Sequence, residues 1–396
     1  MSIGLNEELF TFPIPIILKR RVYMETTEST IIGSVRDRPG LATVALLGGV
    51  LLIDLVAKLT GTVIGPLGGA LSTGRLGSNL WNGVVIGLVI GLAGIGLSMT
   101  YSILSFANFS HGDLLSAGAF TGWGVAFVVA AAGEEPLRAL LTVRGAGDTS
   151  PGEIGAHILS TPVAIVVGLL AAFVITALVA LALDRAFYKP MRDRSGISLL
   201  IASIGVALVV RYVIQFVYGS GRRGVTATVD ASNVAFAPLG LSINAHQLAL
   251  VVSAIGLMLG THFLLQHTKL GTAMRAMADN KDLALITGIP TERVVTATWL
   301  IGGGLAGASG YLYVMLRGTI QFDFGWLLLL LIFAAVILGG IGSVYGAIAG
   351  GLVIGIVFTT STIWIPSDFN EAAAFAVMIL VLLFRPEGIF GGVSTA

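Results

Sequence analysis

The chain contains no cysteine among its 396 residues, and Asp, Glu, Lys and Arg together make up only 11% of it. The first absence removes disulfides, thiolate metal sites and cysteine nucleophiles. The second excludes a water-soluble globule, because a soluble domain needs roughly 25% charged residues to cover its surface. With 55% of residues hydrophobic, lipid must be the solvent for most of the exterior. An excess of one charge is also missing. A net charge of +1, with no basic stripe and no recognition motif, argues against a nucleic-acid partner. No G-x-x-x-x-G-K-[ST] loop occurs, so any ATP chemistry belongs to another subunit. The N-terminus places Glu7 and Glu8 before Lys19, Arg20 and Arg21, the wrong order for a cleaved signal peptide.

What is present is a series of apolar runs, each judged against the roughly 20 residues that a helix needs to cross a bilayer. They lie near 41–60, 81–104, 112–132, 161–183, 197–218, 246–265, 294–316, 326–341, 343–361 and 371–384. The expected fold is therefore all-α, a polytopic transmembrane bundle of nine to ten segments. Runs 326–341 and 371–384 are short, and Gly339-Gly340-Ile341-Gly342-Ser343 reads either as a bend outside the membrane or as a break within the bundle. Basic residues set the orientation. Lys19 to Arg38, Arg185 to Arg194, Lys269 to Arg293, and Arg385 share one side, which becomes the cytoplasm along with both termini. Segments 133–160 and 219–245 then face outside.

Glycine is abundant, with 53 residues. Gly83, Gly87 and Gly91 repeat every four residues, as do Ala347, Gly351 and Gly355, a spacing that lets helix backbones approach closely in lipid. Gly302 to Gly307 formally matches G-x-G-x-x-G but lies mid-helix without a preceding strand, so packing is expected there. Ionisable groups within spans are few. Asp54 and Lys58 stand at the spacing of a same-face ion pair. Arg211 is expected to pair within the bundle or snorkel, the alternative being a counter-charge for a substrate carboxylate. His262 and His267, five apart, form poor metal geometry. Neither a metal site, a cofactor nor a paired catalytic set is expected.

Three polar stretches carry the site candidates. Lys269 to Val294 is a charged, helix-forming segment between apolar runs, with Met274, Met277, Ala278 and Leu285 forming an apolar stripe flanked by Arg275, Asp279, Lys281 and Asp282. Methionine suits an uneven partner groove, and Gly288 and Pro290 end the helix. In Asn108 to Asp113, placed at the cytoplasmic end of a helix pair, Asn108 and Ser110 can satisfy freed backbone groups, His111 and Gly112 permit a reversal, and Asp113 favours the positive end of the next helix. Two readings stand for this turn, structural punctuation and an inner gate. In 219–245, Arg222 and Arg223 offer paired cations to an acidic partner surface, the alternative being a solvated turn.

An ordered set of motifs then resembles one family. Tyr101 to Asp113 resembles the segment N-F-A-H-G-[DE] of the inner-membrane permeases of branched-chain amino acid ABC importers. Tyr188-Lys-Pro190-Met-Arg192 with Leu200 to Gly205, Gly271 to Ala276, Leu338 to Gly346, and Phe384 to Gly391 resemble further motifs of that family in the same order. Asp282-Leu283-Ala284 with Gly288 is similar to the E-A-A-x-x-x-G docking loop of importer permeases, although Asp and Leu stand where that pattern has Glu and Ala. The likeness covers about 81–391 and is nearest the LivH-like permease type, leaving 1–80 as an extension with one added span.

The resemblance implies a transport subunit rather than an enzyme, set in the cell membrane. It implies two ATP-binding subunits, a second permease in a heterodimer, and an extracytoplasmic substrate-binding protein. Met274, Arg275, Met277, Asp282, Ala284 and Gly288 would form the coupling helix, and a branched-chain or related amino acid would be the cargo. Urea or short-chain amide permeases are the nearest alternative. An ion-coupled secondary transporter would need mid-span carboxylates, and an intramembrane enzyme would need paired catalytic groups.

Overall fold

The computed structural model describes residues 39–64, 66–131, 158, 160–225, 233–236 and 241–390, which form two compact units divided between Leu71 and Ser72.

In the first unit, helix α1 (Pro39–Thr60) is followed by a two-stranded antiparallel hairpin of β1 (Val63–Ile64) and β2 (Leu67–Gly68). Asp54 holds the two together. One carboxylate oxygen accepts from Gly68 N at 2.6 Å and the other meets Lys58 Nζ at 2.6 Å. The i, i+4 pair expected from the sequence therefore anchors a hairpin as well.

The second unit is a helix bundle. Its elements are α2 (Thr73–Leu104), α3 (Ser110–Ala130), α4 (Pro162–Leu183), α5 (Gly196–Tyr218), α6 (Ala245–His267), α7 (Lys269–Asp279), α8 (Lys281–Ile286), α9 (Thr291–Arg317), α10 (Phe324–Gly339), α11 (Val344–Thr360) and α12 (Asn370–Phe384). After α4 the chain passes through a π turn (Asp184–Tyr188) and a 3-10 turn (Lys189–Met191). Short strands β3 (Arg223–Gly224) and β6 (Thr319–Ile320) pair antiparallel, as do β4 (Asn233–Phe236) and β5 (Leu241–Asn244). Among the described residues, eight helices are long and apolar enough to cross a membrane, with α10 a shorter apolar helix. The all-α polytopic bundle expected from the sequence is the fold found.

Side-chain size, more than polarity, decides which face turns inward. On α4, Val163, Val166, Leu170, Val174 and Leu178 are each more than half exposed, whereas Ala164, Gly168, Ala172, Thr176 and Ala180 are buried. Lipid solvates large aliphatic side chains as well as a protein interior does, so helices gain by placing small residues between them and shortening the contact distance. The glycine ridges show the limit of this. A Cβ on Gly87 would meet the Gly351 carbonyl and Leu352 Cα at 2.8 Å, and one on Gly351 would meet Gly91 Cα at 2.6 Å. The two ridges expected from the sequence thus pack α2 directly on α11.

The G-x-G-x-x-G run lies inside α9, the helix at the centre of the unit. Gly302 faces Gly96 and Thr100 of α2, while Gly303 and Gly307 face Ala180 and Thr176 of α4. Gly304 lies against the Phe173 ring of α4, so every glycine of the motif is used in helix packing.

Helix α10 is short because it starts inside the bundle. Gly325 N donates to Ser116 Oγ at 3.2 Å, and Ser116 lies on α3 about 10 Å along the axis from Trp123. Trp123 in turn donates to the Val225 carbonyl at the bundle's edge. The other end of α10 is closed by Gly340 and Gly342, both at positive φ. There, Ile389 N and Phe390 N donate to the carbonyls of Leu338 and Gly339 at 2.9 and 3.0 Å. Two motifs far apart in sequence, around Gly340 and Gly388, thus complete one helix terminus.

Candidate functional site

Helices α7 and α8 make one end of the bundle. Each begins on a polar cap, with Thr268 Oγ1 accepting from Gly271 N at 3.0 Å and Asn280 Oδ1 from Leu283 N at 2.9 Å. The pair ends at Gly288, whose φ of +84° only glycine adopts without strain, while Ile289 N closes back on the Ala284 carbonyl. The expectation that Met274 and Met277 face a partner is corrected here. Both are 2% exposed, as is Ala284, because they fill the underside of the pair against the bundle. The outward apolar face is instead Leu283, Leu285 and Ile286, which are 54%, 59% and 80% exposed. Asp282 is exposed beside them, in the first turn of α8. Arg275 also points homeward, donating to Gln266 Oε1 at 2.6 Å. Gln266 and His262 in turn hydrogen-bond Tyr345 OH of α11.

A charged cluster fixes the neighbouring helix ends. Arg192 donates both ways, to Asp184 at 2.7 and 2.9 Å and to Glu292 at 2.6 Å, and Lys189 adds a 3.0 Å pair to Glu292. The Tyr-Lys-Pro-Met-Arg motif therefore clamps the end of α4 to the start of α9. Its carboxylate partners were not legible in the sequence, since they lie 8 and 100 residues from Arg192. A small cavity of about 50 Å³ lined by Arg192, Glu292, Met277 and Lys281 joins this clamp to α7 and α8.

The segment Asn108 to Asp113 is corrected in position. The chain reverses at Ser105, which is left-handed with φ 55°, and then climbs back along α2. His111 Nε2 reaches the Ala93 carbonyl at 3.0 Å, although α2 continues from Ala93 to Leu104, about 16 Å further. The start of α3 is thus seated in the bundle rather than at its surface. A carbonyl only accepts, so His111 carries its proton on Nε2. Asn108 Oδ1 accepts from Ser110 N and Oγ at 3.1 and 2.7 Å, Phe109 N donates to Ser203 Oγ at 3.0 Å, and Tyr188 OH lies 2.8 Å from Ser110 Oγ. Tyr188 stacks on Trp299 at 4.9 Å. Gly112 meets the Gly325 backbone of α10.

Asp113 does more than favour a helix end. Its carboxylate, 0% exposed, receives Arg211 Nε at 3.0 Å and Nη2 at 2.9 Å, and the guanidinium lies 4.7 Å over the Trp326 ring. Arg211 is therefore paired within the bundle. Its partner was hidden because the two residues are 98 apart in sequence.

At the end opposite α7 and α8, Arg222 and Arg223 separate. The Arg223 guanidinium turns to the Tyr218 carbonyl, while its backbone pairs with Ile320. Arg222 lines a cavity with Arg317, Asp323 and Glu371. Residues 226–232 and 237–240 of the 219–245 segment lie outside the described residues.

Residues 79–382 match the family model described as branched-chain amino acid transport system / permease component. The high-affinity branched-chain amino acid transport system permease protein LivH of Escherichia coli K12 is 29% identical over 314 residues, 79% of this chain and 94% of that one. The corresponding permease BraD of Pseudomonas aeruginosa is 28% identical over 79% and 94% of the two chains. A probable LivH of Methanocaldococcus jannaschii is 30% identical over 76% and 88%. No solved structure matches the chain.

Proposed function

This chain belongs to the family of branched-chain amino acid transport permeases, and we propose that it is the membrane subunit of an ATP-driven importer for a branched-chain or related amino acid. Two ATP-binding subunits dock at α7 and α8, a second permease completes a heterodimeric pathway, and a binding protein delivers cargo at the opposite end. The α7–α8 end then faces the cytoplasm together with both termini. Residues 1–80 are an extension to the transport domain, and the start of α3 with His111 lines the inner gate.

One observation carries the reading. Leu283, Leu285 and Ile286 stand exposed on a capped helix beyond the membrane-spanning elements, where water makes bare apolar surface unfavourable and a partner groove would cover it. The buried Ala284 seats this helix against the bundle and the buried Met274 and Met277 root the preceding helix α7 there, so force on α8 reaches α9 through packed side chains. Replacing Leu283 and Ile286 with Asp is expected to leave insertion intact and to lower ATP-driven uptake by about tenfold or more, the scale of a lost interface hot spot. Retention of both uptake and bound ATPase would sink the docking assignment.

Orientation has its own check in a chain without cysteine. Ser220→Cys is expected to react with an impermeant maleimide in intact cells; reaction only after permeabilisation would invert the topology.

A further inference from the structure

The cavity opposite α7 and α8 measures about 270 Å³. Backbone pairing builds its rim. Val225 N donates to the Gly318 carbonyl at 2.9 Å and Arg223–Gly224 pairs with Thr319–Ile320, which sets Arg222 beside Arg317 at the end of α9. The chain then descends through Gln321 to Asp323, the residue before α10, whose side chain caps nothing. Glu371, in the first turn of α12, closes the far side. Below the rim the wall is apolar, made by Leu327, Leu328 and Leu331 of α10 and Phe358 of α11.

Two cations and two carboxylates thus line one cavity, yet among the described residues none of the four is joined in an ion pair. Arg317 is held in place by an uncharged contact, donating to Tyr313 OH at 3.2 Å and lying 5.6 Å over that ring, which stacks in turn on Phe324. Arg222, Arg317 and Glu371 are exposed at the mouth of the cavity and Asp323 is half-buried, so a ligand entering from this end of the bundle meets all four groups. An anionic ligand would leave Asp323 and Glu371 unanswered, and a cationic one would leave the arginines. A zwitterion answers both, its carboxylate received by guanidinium groups and its ammonium by carboxylates.

We propose that this cavity is the permease's own transient site for a free amino acid, with Arg222 and Arg317 receiving the α-carboxylate, Asp323 and Glu371 the α-ammonium, and the leucines of α10 with Phe358 an aliphatic side chain. This rests on the importer reading above and deepens it. The size suits one small amino acid, and the position puts the site where a delivered molecule first meets the bundle. One helical turn beyond Asp323, Trp326 carries the Asp113–Arg211 pair, so the site lies directly before the buried polar centre of the fold.

The test uses the whole complex in proteoliposomes with leucine-loaded binding protein, comparing wild type with Arg222→Gln and Asp323→Asn. Among the described residues neither side chain has a hydrogen bond to lose, and co-purification of the subunits monitors assembly. Leucine moved per ATP hydrolysed is expected to fall roughly tenfold in each variant, the scale of one lost charge-assisted hydrogen bond. The binding-protein concentration at half-maximal ATPase should stay at the wild-type value. Unchanged leucine-to-ATP ratios in both variants would overturn the site while leaving the importer reading intact. A raised half-maximal concentration with an unchanged ratio would also overturn it, by making the rim a protein-docking surface. Absence of ATP-driven uptake in wild type would instead overturn the importer reading on which the site rests.

Discussion

Replacing Arg211 with Met is expected to destabilise the bundle by about 3–5 kcal/mol, the cost of leaving a buried charge without its partner. Asp113 is fully buried and receives two hydrogen bonds from that one guanidinium. Removing the cation also strips the Trp326 face of its contact. The thermal midpoint of the purified protein in detergent measures the loss. Adding Asp113→Asn to Arg211→Met should recover most of it, because a neutral amide no longer demands a counter-charge, and the double-mutant cycle would then show strong coupling. Equal midpoints for Arg211→Met and wild type would mean that the pair does not hold α3 to α5.

The other large effect is expected at Gly118, where a Cβ would overlap the backbone of Gly307 on α9. The added Cβ would meet main-chain atoms, so no rotamer change relieves the overlap and the two helices must separate. A single added methyl, Gly118→Ala, should cost about 3 kcal/mol, at the upper end of overpacking effects, and should sharply reduce the monodisperse protein recovered in detergent. Gly205→Ala is the control, since nothing lies within 4 Å of its Cβ position, and it should match wild type. Full recovery of Gly118→Ala would contradict the close α3–α9 crossing.

The sequence exposed the spans and their contacts to different degrees. Apolar length located the helices, and four-residue glycine spacing marked α2 and α11 as close-packing helices without naming each as the other's partner, because both signals depend on local composition. Depth was not legible. The start of α3 at Ser110 and that of α10 at Phe324 lie within the bundle, and a hydropathy run reads the same whether it begins at an interface or inside. The face of α7 was misread for a related reason. Its methionine stripe fits an external groove and the protein's own core equally well, and only the packing shows Met274 and Met277 turned inward. Partners in the polar network, such as Asn108 with Tyr188 and Arg192 with Glu292, join distant segments, and nothing in the local pattern of either segment names the other.

In the transport cycle proposed for this permease, cargo moves through the action of ATPases held at α7 and α8. Its most direct test is leucine uptake by proteoliposomes made from the complex purified through this chain, supplied with its binding protein, with and without internal ATP. An ATPase subunit is expected to copurify, and uptake to require ATP with no imposed ion gradient. Uptake driven by a proton or sodium gradient in the absence of ATP would contradict this cycle.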